Sequence, residues 1–223
     1  MGQEGVMDLL TKALIAQLAY EKSRDVITKR MVELLGPGEI EFIYEPKTDS
    51  EAHVYKYGDN QCIIAFAGTE SWKDVSHDLF FLPNHYKGEG YIHSGFLRAI
   101  RGCKPAMNEA IKKLFPIGLI NHMDYVGHSL GASMAILSVD EVDAITLSDE
   151  VTAFAPPNGF SRGARKYLEN QYKFHNVVNN MDPVCMAMGI TSGRPETQRT
   201  NLKGQWGHSI EKYIMAIQQG KIK

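Results

Sequence analysis

The sequence predicts an α/β fold in which helices cover both faces of one mostly parallel sheet. Segments with apolar residues at helical spacing alternate with short apolar segments typical of strands, which is the pattern of such a sheet. The segment 62–67 is an unbroken apolar run, which indicates a strand covered on both sides. The 223 residues, 43% of them hydrophobic and 22% charged, suit a single globular domain over residues 1–223.

Apolar spacing and turn residues place the elements along the chain. Helical spacing runs over 6–35 and stops at Gly36-Pro37-Gly38, because glycine and proline both interrupt a helix. Strands are predicted over 40–44, 52–57, 62–67, 123–126, 151–155 and 174–178. Further helices are predicted over 96–115, 130–139 and about 209–218. The last two strands each run into a loop rich in proline, asparagine or aspartate.

The net charge of the chain bears on which molecules it binds. The formal net charge of −2 gives no basic excess to hold a phosphate backbone, so nucleic-acid binding is not expected. The expected partner is a lipid or a small ester.

The chain has three cysteines, Cys62, Cys103 and Cys185, which are widely spaced. Their odd number and spacing favour buried free thiols. The first residues show no signal-peptide pattern, and no apolar run approaches ~20 residues, so a cytoplasmic location is expected, with release by an unrecognised route as the alternative.

One segment carries the motif of a serine nucleophile. Gly127-His128-Ser129-Leu130-Gly131 fits the pattern G-x-S-x-G, in which the serine lies on a crowded turn between a strand and a helix. Here a predicted strand precedes Ser129 and a helix of small residues follows it. The start of that helix directs its free N–H groups and its dipole toward the serine.

A serine nucleophile needs a base, and the base needs an orienting carboxylate. In this type of fold the order along the chain is serine, acid, histidine, and only His175 and His208 follow Ser129. With His175 as base, the acid would be one of Asp140, Glu141, Asp143, Asp149, Glu150 and Glu169, none of which directly follows a predicted strand. Asp182 does follow one, and active sites lie at the carboxyl ends of strands. The order therefore selects Ser129, Asp182 and His208.

The tetrahedral intermediate of acyl transfer needs hydrogen-bond donors for its oxyanion. The amide N–H after the nucleophile, here that of Leu130, is one expected donor. The loop after an earlier central strand supplies the other, which makes Thr69 the second candidate.

Together these residues resemble the class 3 (fungal-type) lipase family of the α/β-hydrolase fold, over roughly residues 10–215. The matching blocks are Ile64-Ala65-Phe66-Ala67-Gly68-Thr69, His93-Ser94-Gly95-Phe96, Gly127-His128-Ser129-Leu130-Gly131-Ala132, Asn179-Asn180-Met181-Asp182-Pro183-Val184, and Trp206-Gly207-His208-Ser209 with Tyr213 beyond. Two blocks depart from the family pattern: Ala67 replaces its usual arginine, and Ala155-Pro156-Pro157-Asn158-Gly159 replaces its Gly-x-Pro-Arg-x-Gly-Asn.

The resemblance implies hydrolysis of carboxylic esters by Ser129, His208 and Asp182, with Thr69 and Leu130 as oxyanion donors and no metal or cofactor. It implies a lid at about 70–92, and supporting roles for Asp78 and His128. His93 is expected to be structural.

The lid bears on the expected substrate. Trp72, Val75 and Leu79 lie at helical spacing and either line an acyl pocket or belong to the core. A lid that is only weakly amphipathic favours dispersed or medium-chain esters over bulk triglyceride, with a transient lipid interface. A phospholipase A1 or acyltransferase on the same site is one alternative. A non-catalytic lipase-like binding module is another, although it predicts damage to the serine, acid and histidine set.

Overall fold

A seven-stranded sheet forms the centre of the computed structural model, which describes residues 7–68, 83–186 and 193–222. The strands are β1 (Gly38–Glu45), β2 (Ser50–Tyr57), β3 (Gln61–Phe66), β4 (Pro83–Tyr86), β5 (Gly90–His93), β6 (Leu119–Ile120), β7 (His122–His128), β8 (Ile145–Thr146), β9 (Asp149–Phe154), β10 (Phe174–Asn179) and β11 (Gln198–Leu202). The helices are α1 (Leu9–Leu18), α2 (Arg24–Leu35), α3 (Ser94–Leu114), α4 (Leu130–Glu141), α5 (Arg162–Glu169), α6 (Pro183–Met186) and α7 (Ile210–Gln218). None of these helices has the length and apolar character to span a membrane.

The strand order of the sheet is β1-β2-β3-β7-β9-β10-β11. The pairs β1–β2 and β2–β3 are antiparallel, and every later pair in the sheet is parallel. Two small pairs, β4–β5 and β6–β8, lie outside it. The mostly parallel sheet confirms the predicted fold class.

Alternate residues of β3 pack against helices on opposite faces of the sheet. Ile64 belongs to an apolar cluster with buried residues of α3 and α4, whereas Ile63 belongs to a cluster with residues of α1 and α2. Both side chains are fully buried. This two-sided burial explains the unbroken apolar run, because a strand covered on both faces has no polar side to present.

The predicted helical stretch over 6–35 is in fact two helices. The carboxylate of Glu21 accepts the amide N–H groups of Lys22 and Ser23 at 2.8 Å each, which closes a turn after α1. The Ser23 hydroxyl then accepts the N–H of Val26 and caps the start of α2. The cap at Ser23 therefore begins a second helix within a segment whose apolar spacing predicts one continuous helical stretch.

Part of the predicted lid segment packs into the body of the protein. Of the range 70–92, residues 70–82 lie outside the described residues, and the remainder forms the β4–β5 hairpin. Tyr86 and Ile92 of this hairpin are fully buried, and the Tyr86 hydroxyl donates to Asp140 at 2.5 Å. The lid itself therefore stays a prediction.

A buried ion-pair cluster joins α1 to the amino ends of β7 and β9. The Lys12 ammonium lies 2.9 Å from Asp124 and 2.8 Å from Glu150, and both Lys12 and Asp124 are almost fully buried. Burial raises the pKa of Asp124, but the hydrogen bond from His122 and the charge of Lys12 hold it below its usual range. The cluster fixes α1 to the sheet.

We expect Lys12→Met to lower the free energy of unfolding by about 3 kcal/mol or more, because it removes the buried ammonium that pairs with the Asp124 carboxylate. Urea titration measures the change. Lys22→Met is the matched control, since Lys22 pairs with Glu51 at the surface, where such pairs contribute about 0–1 kcal/mol. Equal losses in the two variants would contradict the assignment.

Candidate active site

Ser129 lies on a sharp turn between β7 and α4, with the strained backbone angles φ 61° and ψ −125°. A side chain on Gly127 would strike the carbonyl of Gly131, and one on Gly131 would strike the carbonyl of Phe66. The glycines at both two-residue offsets are therefore steric requirements of the turn. The amide of Ser129 donates to the Phe154 carbonyl at the end of β9, which ties the turn to the next strand.

The structure brings Ser129, His208 and Asp182 into one hydrogen-bonded chain. The Ser129 Oγ lies 2.6 Å from His208 Nε2, and His208 Nδ1 lies 2.9 Å from one oxygen of Asp182 and 3.1 Å from the other. With its proton on Nδ1, neutral His208 donates to Asp182 and leaves Nε2 to accept the Ser129 hydroxyl. This arrangement has the connectivity that activates a serine nucleophile.

The alternative base, His175, lies elsewhere. It is on β10, and its Nε2 is 2.7 Å from the hydroxyl of Thr200 on the edge strand β11. His208 is thus the histidine that contacts Ser129.

Asp182 is fully buried and is held by three different groups. Besides His208, the Tyr213 hydroxyl donates to it at 2.6 Å and the Val184 amide at 2.8 Å. Burial raises the pKa of Asp182, but these hydrogen bonds and the charge of His208 outweigh it and hold the pKa below its usual range. The carboxylate therefore stays ionised against the histidine.

His128 forms a wall behind His208. The two rings are tilted with centroids 4.6 Å apart, and the Tyr20 hydroxyl lies 2.8 Å from His128 Nδ1. Burial, together with the charge of His208, lowers the pKa of His128 to about 3, so His128 remains neutral beside His208. Tyr20 is a contact that the sequence reading missed, because it lies just after α1 and belongs to no motif.

The first oxyanion donor that the sequence predicts lies at the start of a helix. Leu130 is the first residue of α4, where an amide N–H has no acceptor within the helix. The end of β3 approaches the same turn: a side chain on Gly68 would strike the Tyr20 hydroxyl and the His128 carbonyl. Thr69 and Asp78, which the sequence also singled out, lie outside the described residues.

Among the described residues, one cluster has the composition of a metal site. His122, Asp124 and Glu150 place ligand atoms within 4.8 Å of one another. The ammonium of Lys12 contacts both carboxylates and supplies a positive charge there. The cluster lies at the amino ends of β7 and β9, at the opposite edge of the sheet from Ser129.

Comparisons with known proteins agree with this geometry. The model of the family described as Lipase (class 3) matches residues 63–192. A triacylglycerol lipase whose catalytic centre is a serine protease triad aligns with a TM-score of 0.74 and 18% identity, over 91% of this chain and 82% of that chain. Lipase II from Rhizopus niveus aligns with a TM-score of 0.71 and 20% identity, over 89% and 81%. Lip2 lipase from Yarrowia lipolytica gives 0.68 and 14%, over 87% and 77%. No curated protein matches the chain.

We expect Tyr213→Phe to raise the pKa of Asp182 and to lower the free energy of unfolding by about 1–3 kcal/mol, because a buried carboxylate loses a donor. Carboxyl NMR titration and urea denaturation measure the two effects. The low pKa of Asp182 stabilises the fold above the ordinary aspartate pKa, and this stabilisation disappears as the pH falls through the folded value, so it should be smaller in the variant.

Tyr44→Phe is the control for that variant, since the exposed Tyr44 donates to Asp49 at the surface. Its effect on stability should stay within about 0.5 kcal/mol. An unchanged Asp182 pKa in Tyr213→Phe would show that the tyrosine does not hold the carboxylate.

Proposed function

Since this chain belongs to the class 3 lipase family, and is thereby an ester hydrolase, we propose that it cleaves carboxylic esters of lipids through an acyl-enzyme on Ser129. The observation that carries the proposal is the unbroken chain from the Ser129 hydroxyl through His208 to the buried Asp182 carboxylate. No metal or cofactor is needed for this chemistry, because the serine and histidine move all the atoms and protons involved.

In the first half of the proposed reaction, Ser129 Oγ attacks the ester carbonyl carbon as its proton passes to His208 Nε2. The tetrahedral intermediate then expels the alcohol, which takes that proton from His208, and the acyl group remains on Ser129. In the second half, water attacks the acyl carbon with His208 again as base. The carboxylic acid leaves, and the Ser129 hydroxyl is restored.

Two groups stabilise the charges that develop. Asp182 stays ionised and stabilises the His208 imidazolium, a role that its low pKa suits. The Leu130 amide donates to the oxyanion at the start of α4, and Thr69 is proposed as the second donor. Losing one such donor typically slows turnover by ~10²–10³.

Apolar side chains beside the site favour a lipid substrate. Trp206 and Met181 lie close in sequence to His208 and Asp182, and they are 63% and 47% exposed. The Gly207 amide donates to the Met181 carbonyl, which joins the loops that carry them. Exposed apolar side chains at the rim of a reactive site suit contact with an acyl chain or a lipid surface. We propose dispersed or medium-chain esters as the preferred substrates.

We expect Ser129→Ala to lower kcat by at least about 10³-fold without unfolding the protein, because the covalent step is lost. Hydrolysis of p-nitrophenyl esters from acetate to palmitate measures the loss, and a medium-chain optimum would fit the proposed substrate. Ser133→Ala is the control: it removes a buried hydroxyl without a hydrogen-bond partner from α4, the helix that follows Ser129, and should retain activity. Full activity in Ser129→Ala would remove the proposed nucleophile, and a sharp rate increase on emulsified substrate would contradict the preference for dispersed esters.

We expect Trp206→Ala to raise KM for long-chain esters several-fold while leaving acetate hydrolysis nearly unchanged, since only long chains reach the rim. Steady-state kinetics across the ester series measures this dependence on chain length. Leu147→Ala is the control, because Leu147 is 70% exposed but precedes β9, at the other edge of the sheet. An equal change for acetate and palmitate would exclude a rim role for Trp206.

A further inference from the structure

A polar cavity of about 590 Å³ lies beside α5 and the end of β10. Its volume is within the range of small-molecule sites. Three arginines and two glutamates line it, together with asparagines and a cysteine near the carboxyl ends of β9 and β10. The charged residues are Arg165, Glu169, Arg194, Glu196 and Arg199. The proposed ester chemistry uses none of them.

Arg194 is the exception among the buried charges of the described chain. The other buried charged residues each contact a partner side chain of the opposite type. Lys12 pairs with Asp124, Glu141 pairs with Arg101, and Asp182 contacts His208. Arg194 is 8% exposed, and no described carboxylate forms an ion pair with it. A buried charge without an ion-pair partner is costly unless hydrogen bonds or a bound counter-ion compensate for the lost hydration.

The guanidinium of Arg194 is held firmly but not fully used. Its Nη1 donates to the carbonyl oxygens of Pro156 at 2.9 Å and Cys185 at 3.2 Å, and to the side-chain oxygen of Asn158 at 3.3 Å. Its Nε is buried without a hydrogen-bond partner. The contacts of Nη1 fix the side chain in place on the wall of the cavity.

Arg165 is a second arginine on the wall of the same cavity. Its Nε is also buried without a hydrogen-bond partner. Its guanidinium lies against Gly193, where a side chain would come within 2.7 Å of Nη1. Glycine at 193 thus leaves the space that the Arg165 guanidinium occupies.

The two glutamates of the wall are already engaged. One oxygen of Glu196 accepts from Arg199 Nε at 2.9 Å and from Asn176 Nδ2 at 3.2 Å. Glu169 accepts the amide N–H of Glu196 at 2.9 Å. These contacts pair Arg199 internally and leave Arg165 and Arg194 as the available cations.

We propose that this cavity binds a phosphate-type oxyanion that carries an organic group, through Arg165 and Arg194. Planar guanidinium groups donate in a fork that matches phosphate oxygens, and two of them on one cavity wall, neither in an ion pair with a described carboxylate, suit an anion with several oxygens. The cavity volume leaves room for an organic substituent on the phosphate. This site goes beyond the proposed ester hydrolysis and does not depend on Ser129.

Binding is tested by thermal shift and calorimetry at constant ionic strength, with inorganic phosphate and sn-glycerol 3-phosphate as soluble probes. Vesicles of phosphatidylglycerol form a third arm, in a Ser129→Ala background so that no ester is consumed. Arg165→Gln is the test variant. Arg162→Gln is its matched control, because it removes the same charge from an exposed position of the same helix.

We expect the soluble phosphates to raise the Tm, and Arg165→Gln to weaken their binding about tenfold, since a charge-assisted hydrogen bond is worth at least a decade in Kd. Arg162→Gln should bind like the unmodified chain. Binding to vesicles alone, lost in Arg165→Gln, would support the site with a lipid headgroup as its source. Failure of all three probes to bind, or equal binding by the two variants, would overturn the proposal whatever the esterase assays show.

Discussion

The geometry of the site depends on how closely three backbone segments approach one another at residue 129. Gly127 faces the carbonyl of Gly131, and Gly131 faces the carbonyl of Phe66. The parallel pairing of β3, β7 and β9 fixes these approaches, because Phe66 lies opposite Gly127 and Gly127 opposite Ala153. A strained serine conformation persists only where the surrounding structure over-determines it. Here the register of three central strands, buried on both faces, supplies that constraint.

Among the described residues, two histidines lie close to Ser129 in different electrostatic environments. Asp182 is fully buried, but its bonds from His208, Tyr213 and the Val184 amide offset the cost of burial. His128 packs against the His208 ring and stays neutral because its pKa is about 3. A neutral neighbour packs against the His208 ring without adding a second positive charge beside it.

The sequence predicted what local pattern controls and missed what tertiary contacts control. The turn at Ser129 and the strand β3 have strong local signals, and chain order selected the His208 and Asp182 that the structure places together. The strand β11 was missed because Gln198–Leu202 is polar and lies at the sheet edge, where pairing with β10 rather than apolar alternation defines it. The helix α5 was missed because its buried face is only Ala164 and Leu168. No motif marks contacts between distant segments such as that of Tyr20 with His128.

Buried charged residues have different partners at the amino ends and at the carboxyl ends of the parallel strands. At the amino ends of β7 and β9, Lys12 forms ion pairs with both Asp124 and Glu150. At the carboxyl end of β10, Arg194 keeps a donor unused. One of its hydrogen bonds goes to the Cys185 carbonyl, three residues after Asp182. The segment that carries Asp182 therefore also contributes Cys185 to the wall of the polar cavity. Charges that are fully paired within the protein, such as Lys12, stabilise the fold. A buried arginine without an ion-pair partner among the described residues suits the carboxyl ends of the strands, where ligands bind in sheets of this kind.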